Sequence, residues 1–146
     1  MIDSHCHLNY DKISKNFDQV INNAKKNNIT SLLSINTNPN DFLDHLNLVK
    51  NNEAIYLSYG LHPGESDLVE KIQKLNFELH CKNSKVVAIG ETGVDLYNSP
   101  NSLEDQIKCF EMQIQASIEF NLPLIIHQRN SEIEIINVLK KYLKYD

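Results

Sequence analysis

Five short, almost continuously apolar stretches recur along this 146-residue chain about every thirty residues, and each is followed by a stretch of helical spacing. No other feature restricts the fold as much. Strands covered on one face alternate apolar and polar residues, whereas strands covered on both faces do not; helices crossing between such strands impose a parallel sheet. The strand-like stretches are Met1 to Cys6, Ser31 to Ile35, Ile55 to Leu61, Val86 to Gly90 and Pro123 to His127. Phe17, Val20, Ile21 and Ala24 mark a helix over Asn16 to Asn27, and the spacing predicts others over Asp41 to Lys50, Ser66 to His80, Leu103 to Phe120 and Glu132 to Leu143. The expectation is an α/β fold of about five parallel β/α units forming a single domain over residues 1–146.

Four of the five strands end in a residue suited to metal or acid–base chemistry: His5 and His7 at the first, His62 at the third, Glu91 at the fourth and His127 at the fifth. In parallel α/β sheets the carboxyl ends of the strands share one face, so residues distant in sequence converge there. Two histidines at i and i+2 in an extended segment project to the same side and can grip one cation together. Asp3 and Ser4 stand beside them as partners able to fix the imidazole tautomers. Each residue also has a plainer reading. His5 and His7 can tie down a polar strand end, and Glu91 can anchor a turn over Gly90 to Gly93. His127 can be a satisfied core histidine, and His62 can fix the turn made with Pro63. Arg129 is placed to clamp a phosphate with its fork of donors or to make an ordinary ion pair. Asp95 either orients ligands or is a solvated loop acid, while His45 and His80 fall in predicted helices and are assigned to surface or packing roles.

Composition narrows the function classes. A net charge of −5 argues against broad electrostatic capture of nucleic acid, which needs concentrated Lys and Arg. Cys6, Cys81 and Cys109 form no CxxC pair, which suits a reducing compartment. Neither an apolar run long enough to span a membrane nor a secretory leader is present, so the expected location is the cytoplasm, with no membrane partner.

Taken in order, Asp3-Ser4-His5-Cys6-His7-Leu8, Gly60-Leu61-His62-Pro63, Gly90-Glu91-Thr92-Gly93-Val94-Asp95 and His127-Gln128-Arg129 make the whole chain resemble the TatD family of metal-dependent deoxyribonucleases. The resemblance implies an eight-stranded β/α barrel of roughly 250 residues. This chain stops after five units, so the fold class it implies is an incomplete TIM-type (β/α) barrel. It implies two divalent metal ions, with His5 and His7 on one, Glu91 bridging the pair, and His127 on the second. Such ions activate a water, polarise the phosphoryl group and stabilise the leaving oxygen. Glu91 and His62 are then the catalytic residues, His62 and Arg129 the contacts to substrate, and DNA the substrate. Imidazole and carboxylate ligands suit Mg, Mn or Zn, and the resemblance favours Mg or Mn.

Two departures bear on activity. A histidine after the sixth strand and a later aspartate, both ligands in the family, have no counterpart, and Asn130 stands where many members have aspartate. An open five-stranded sheet leaves its first and fifth strands as apolar edges. The expectations are therefore a marginal monomer, self-association, or pairing with a separately encoded C-terminal half, with DNA cleavage weak or absent unless complemented. The alternatives are a hydrolase of another ester or amide, since one fold hosts many chemistries, and a non-catalytic remnant or binding module.

Overall fold

The computed structural model describes residues 1–65 and 67–143. Strands β1 (Ile2–Cys6), β2 (Ser31–Ser34), β3 (Ile55–Tyr59), β4 (Val86–Asp95) and β5 (Leu124–Arg129) form one sheet in that order, every neighbouring pair parallel. The sheet curls into half a barrel. Among the described residues, seven α-helices connect and cover it: α1 (Asp11–Ser14), α2 (Phe17–Lys26), α3 (Phe42–Val49), α4 (Leu68–Ile72), α5 (Phe77–His80), α6 (Leu103–Phe120) and α7 (Glu132–Leu139). None of the described helices is long and apolar enough to cross a membrane.

The longest helix shows why the local sequence folds as it does. The Ser102 hydroxyl accepts from the Asp105 N–H at 3.2 Å, Glu104 and Asp105 stand in the positive first turn, and Asn121 ends α6 in the left-handed region at φ 50°. Its buried face repeats Gln106, Cys109, Phe110, Gln113 and Ile114, the three-and-four spacing of a helix laid against a sheet. Phe110 and Ile114 pack there with Val94 of β4 and with Ile135 and Val138 of α7. A larger cluster, including Ile21, Leu32, Phe42, Val49, Ile55 and Leu57, seals α2 and α3 onto the first three strands.

Several element bounds differ from the sequence expectation. Ser66, the expected start of a helix to His80, lies outside the described residues, and the rest of that stretch is two short helices. Asn76 divides them: its side chain accepts from the Leu79 N–H at 3.0 Å and its own N–H donates to the Tyr59 hydroxyl at 3.2 Å, so a cap and a tertiary bond replace helical continuation. The expected helix over Asp41 to Lys50 begins with a 3-10 turn at Pro39–Asp41, and α1 has no counterpart among the predicted elements. β4 runs through the Gly90 to Gly93 segment instead of turning there. Thr92, Gly93, Val94 and Asp95 pair with Ile126, His127, Gln128 and Arg129, so glycine serves close approach. Gly93 has φ 147°, and a Cβ placed on it would lie 2.0 Å from the His127 carbonyl oxygen.

Candidate metal centre

The sheet brings the strand-end residues to one cleft of about 260 Å³, lined by His5, His7, His62 and His127 together with Tyr10, Thr37, Glu65 and Glu91. His5 lies within β1 and His7 just beyond it; alternation sends Cys6 the other way, where its thiol meets the Leu33 carbonyl at 3.4 Å. The two imidazole rings are 5.3 Å apart, edge to face. The β1–β2 register slips between Asp3 and Cys6, and the β4–β5 register between Ile89 and Thr92. Such irregularities re-aim side chains, and these two flank His5 and Glu91.

Glu91 is the hub. Only 8% exposed, it has one carboxylate oxygen 3.5 Å from His5 Nε2 and the other 3.2 Å from His127 Nδ1. Its N–H donates to the Asn36 carbonyl at 3.1 Å, which pins the backbone beneath it. Burial, the largest influence on its acidity, pushes the carboxyl up, but the His127 hydrogen bond and the charges of His62, His5 and His127 outweigh it and hold the carboxyl below its usual range. A carboxylate kept ionised between two imidazole sets is suited to being shared by two cations. Two groups have ligand atoms all within 4.8 Å of one another: His5, His7 and Glu91, and His62, Glu91 and His127.

The hydrogen bonds sort these histidines by role. His7 Nδ1 lies 3.3 Å from the Ile35 carbonyl, which only accepts, so Nδ1 carries the proton and Nε2 keeps its lone pair. Burial also lowers the His7 pKa, favouring the neutral imidazole that a cation requires. His62 is the reverse: Nδ1 accepts from the Gly64 N–H at 2.9 Å, so in the neutral ring Nε2 bears the proton and donates. Burial, then the charge of His127, lowers its pKa. His62 is thereby fitted to hydrogen-bond an anionic oxygen, despite lying among groups that could hold a metal. His127 is held from both sides, with Nδ1 toward Glu91 and Nε2 3.0 Å from Asp95; the Glu91 bond above all raises its pKa. With Nε2–H donating to Asp95, Nδ1 is, in the neutral ring, the nitrogen left for a cation beside Glu91.

Asp95 is 2% exposed, not a solvated loop acid. Beyond His127 it accepts from the N–H groups of Tyr97 and Asn98 at 2.9 and 2.7 Å. Arg129 lies apart from the cleft lining: it is exposed and its guanidinium sits 4.7 Å from the centre of the Tyr97 ring. His45 is buried against Ser34, and His80 packs its ring on Phe42 and Tyr59. Sequence reading missed the polar frame beneath the cleft. Gln113, fully buried, accepts from the Leu61 N–H and donates to the Leu61 carbonyl, both at 3.0 Å, and donates to Thr92 Oγ1 at 2.6 Å. Gln106 accepts from the Asp95 N–H at 2.8 Å, and the Thr37 carbonyl accepts from the His62 N–H at 2.9 Å. Glutamines on an apolar helix face were the available signal, since buried amides need partners.

The donor set, imidazoles around a shared carboxylate, fits divalent cations. Comparison with known proteins agrees: the family described as TatD related DNase matches residues 2–146. The chain belongs to the TatD-related DNase family. It is 39% identical over 144 residues to an uncharacterized metal-dependent hydrolase of Buchnera aphidicola subsp. Baizongia pistaciae, an alignment covering 97% of this chain and 54% of the relative. It is 28% identical over 155 residues to the human 3'-5' RNA nuclease TATDN2, covering 99% of this chain and 20% of that protein. Among solved structures, the TatD homolog YjjV of Escherichia coli K12 superposes with a TM-score of 0.86 at 28% identity, covering 97% of this chain and 56% of YjjV. The chain spans about half the length of its bacterial TatD-family relatives.

Proposed function

We propose that this cleft takes part in divalent-cation-dependent hydrolysis of DNA phosphodiester bonds, with Mg or Mn as the cations. The observation that carries the reading is the single buried carboxylate of Glu91, shared by His5 on one side and His127 on the other. His5, His7 and Glu91 would hold one cation and Glu91 with His127 the other; when bound, the pair supplies an activated water and a counter-charge for the phosphoryl oxygens. The protein's own part is positioning. The Ile35 carbonyl and Asp95 set the tautomers of His7 and His127, and the Gly64 N–H leaves the Nε2–H of His62 as a donor for a phosphate or leaving oxygen. Phosphodiester chemistry is favoured over ester or amide hydrolysis by that donor and by the nuclease name of the human relative. The half-length match and the open outer strands support a companion reading, in which full activity requires a further half-barrel.

The test is manganese binding followed by calorimetry or electron paramagnetic resonance, with hydrolysis of single-stranded DNA, RNA and a lactone in parallel. The expected result is saturable binding that Glu91→Gln weakens at least ~10-fold, with cation-dependent cleavage of DNA over the lactone. Unchanged manganese affinity in that variant would remove the proposal.

A further inference from the structure

Tyr10 stands at the lip of the cleft and is 52% exposed. One face of its ring stacks on His7, with centroids 4.7 Å apart and planes 15° from parallel. Its backbone is fixed at the start of α1, where its carbonyl accepts from the N–H groups of Ile13 and Ser14 at 2.7 and 2.9 Å. A half-exposed aromatic held in place and lying on a residue of the metal centre has a flat surface to offer a ligand.

The space beside it has a definite chemistry. A groove of about 680 Å³ continues from the cleft, sharing Tyr10, Thr37 and Glu65 with it and adding Asp11, Lys12 and Asp41. Its lining carries the carboxylates of Asp11, Asp41 and Glu65 beside Lys12, and those of Asp11 and Glu65 are braced by Lys15 and Lys71, each at 2.9 Å, so the groove offers placed acceptor oxygens and no surplus of cations for a phosphate. An aromatic face bordered by acceptors is suited to a planar, uncharged heterocycle carrying N–H donors.

We propose that this groove is a nucleobase subsite, in which Tyr10 stacks the base of a nucleotide whose phosphate enters the cleft while the groove carboxylates accept from exocyclic amino groups. It rests on the phosphodiesterase reading and adds the residue that receives the base. Tyr10 is then a substrate-binding residue, and the class of ligand is a nucleotide with an amino-bearing base, cytosine or adenine before uracil.

The experiment is calorimetric titration of the full chain, in manganese, with ribose 5-phosphate, CMP, UMP and cytidine. CMP is expected to bind roughly 10-fold tighter than ribose 5-phosphate, the scale of one base stacked on an aromatic ring, and tighter than UMP. Tyr10→Phe should keep that gain, and Tyr10→Leu, which still covers His7 but has no aromatic face, should lose it. CMP binding no tighter than ribose 5-phosphate, or a gain that survives in Tyr10→Leu, overturns the subsite. Equal affinity for CMP and UMP overturns the role of the carboxylates. If cytidine binds in a Tyr10-dependent way while ribose 5-phosphate does not bind, the groove stands and the phosphodiesterase reading falls; if nothing binds, both fall.

Discussion

Asp95 does not line the cleft, yet it orients His127: its carboxylate accepts from Nε2–H at 3.0 Å, which in the neutral ring leaves the lone pair on Nδ1, beside Glu91. Partners of this kind typically contribute ~10- to 100-fold to metal affinity. Asp95→Asn should therefore weaken manganese binding by about that much while leaving the fold intact; unchanged affinity in a calorimetric titration would show that His127 does not depend on it. Among the histidines outside the centre, His45 is 1% exposed, bonded through Nε2 to the Ser34 hydroxyl at 2.7 Å, and burial, then the charge of His7, depresses its pKa to about 4. An unfolded chain takes up that proton near pH ~6.5, the folded one only near 4, so the unfolded state binds more protons between those values. Stability from His45 is thus complete above pH ~6.5 and is lost as pH falls toward 4. Between pH 7 and 4.5 the wild type should lose about 2 kcal/mol more than His45→Gln in urea unfolding; parallel losses would show that other groups control the acid limb.

At the scale of elements, α6 holds the C-terminal half of the sheet in register through side chains as much as through apolar packing. Gln113 satisfies both backbone groups of Leu61, immediately before His62, and the hydroxyl of Thr92, immediately after Glu91. Gln113→Leu conserves the bulk but strips the Leu61 N–H and the Thr92 hydroxyl of their partner and leaves the Leu61 carbonyl only the weak Cys109 thiol at 3.9 Å, each lost bond worth ~1–3 kcal/mol. A loss of about 3 kcal/mol or more is expected in the free energy of unfolding, a large share of the ~5–15 kcal/mol that holds a domain together. A loss below ~1 kcal/mol would mean that the Leu61 groups find other partners. This buried polar frame escaped sequence reading for a physical reason. A glutamine at a helix position is ordinary on a solvated face, and its value comes from strand ends more than twenty residues away in the chain.

For the whole molecule, β1 and β5 are the outer strands of the described sheet, and Ile2 is 67% and Ile126 38% exposed on them. Apolar, unpaired strand edges attract a partner strand. The 146-residue chain is expected to sediment above its 16.8 kDa monomer mass and to shift to a defined complex when a relative's C-terminal half-barrel is added. A clean monomer, indifferent to that half, would show that the edges are tolerated as they are. The sequence by itself determined the parallel α/β fold and the gathering of His5, His7, His62, Glu91 and His127, because short apolar runs alternating with helices specify parallel strands, and strand ends in such sheets share one rim. It also fixed α6 to the residue, since cap, period and stop are all local. Only the tertiary structure decided that His62 is a donor and His7 a lone pair, that Asp95 is buried beneath His127 while Arg129 rests on Tyr97, and that Glu91 lies inside a strand instead of a turn. Tautomers, register and burial are set by carbonyls, amides and strands that are remote in the chain, and those meet only when the sheet curls.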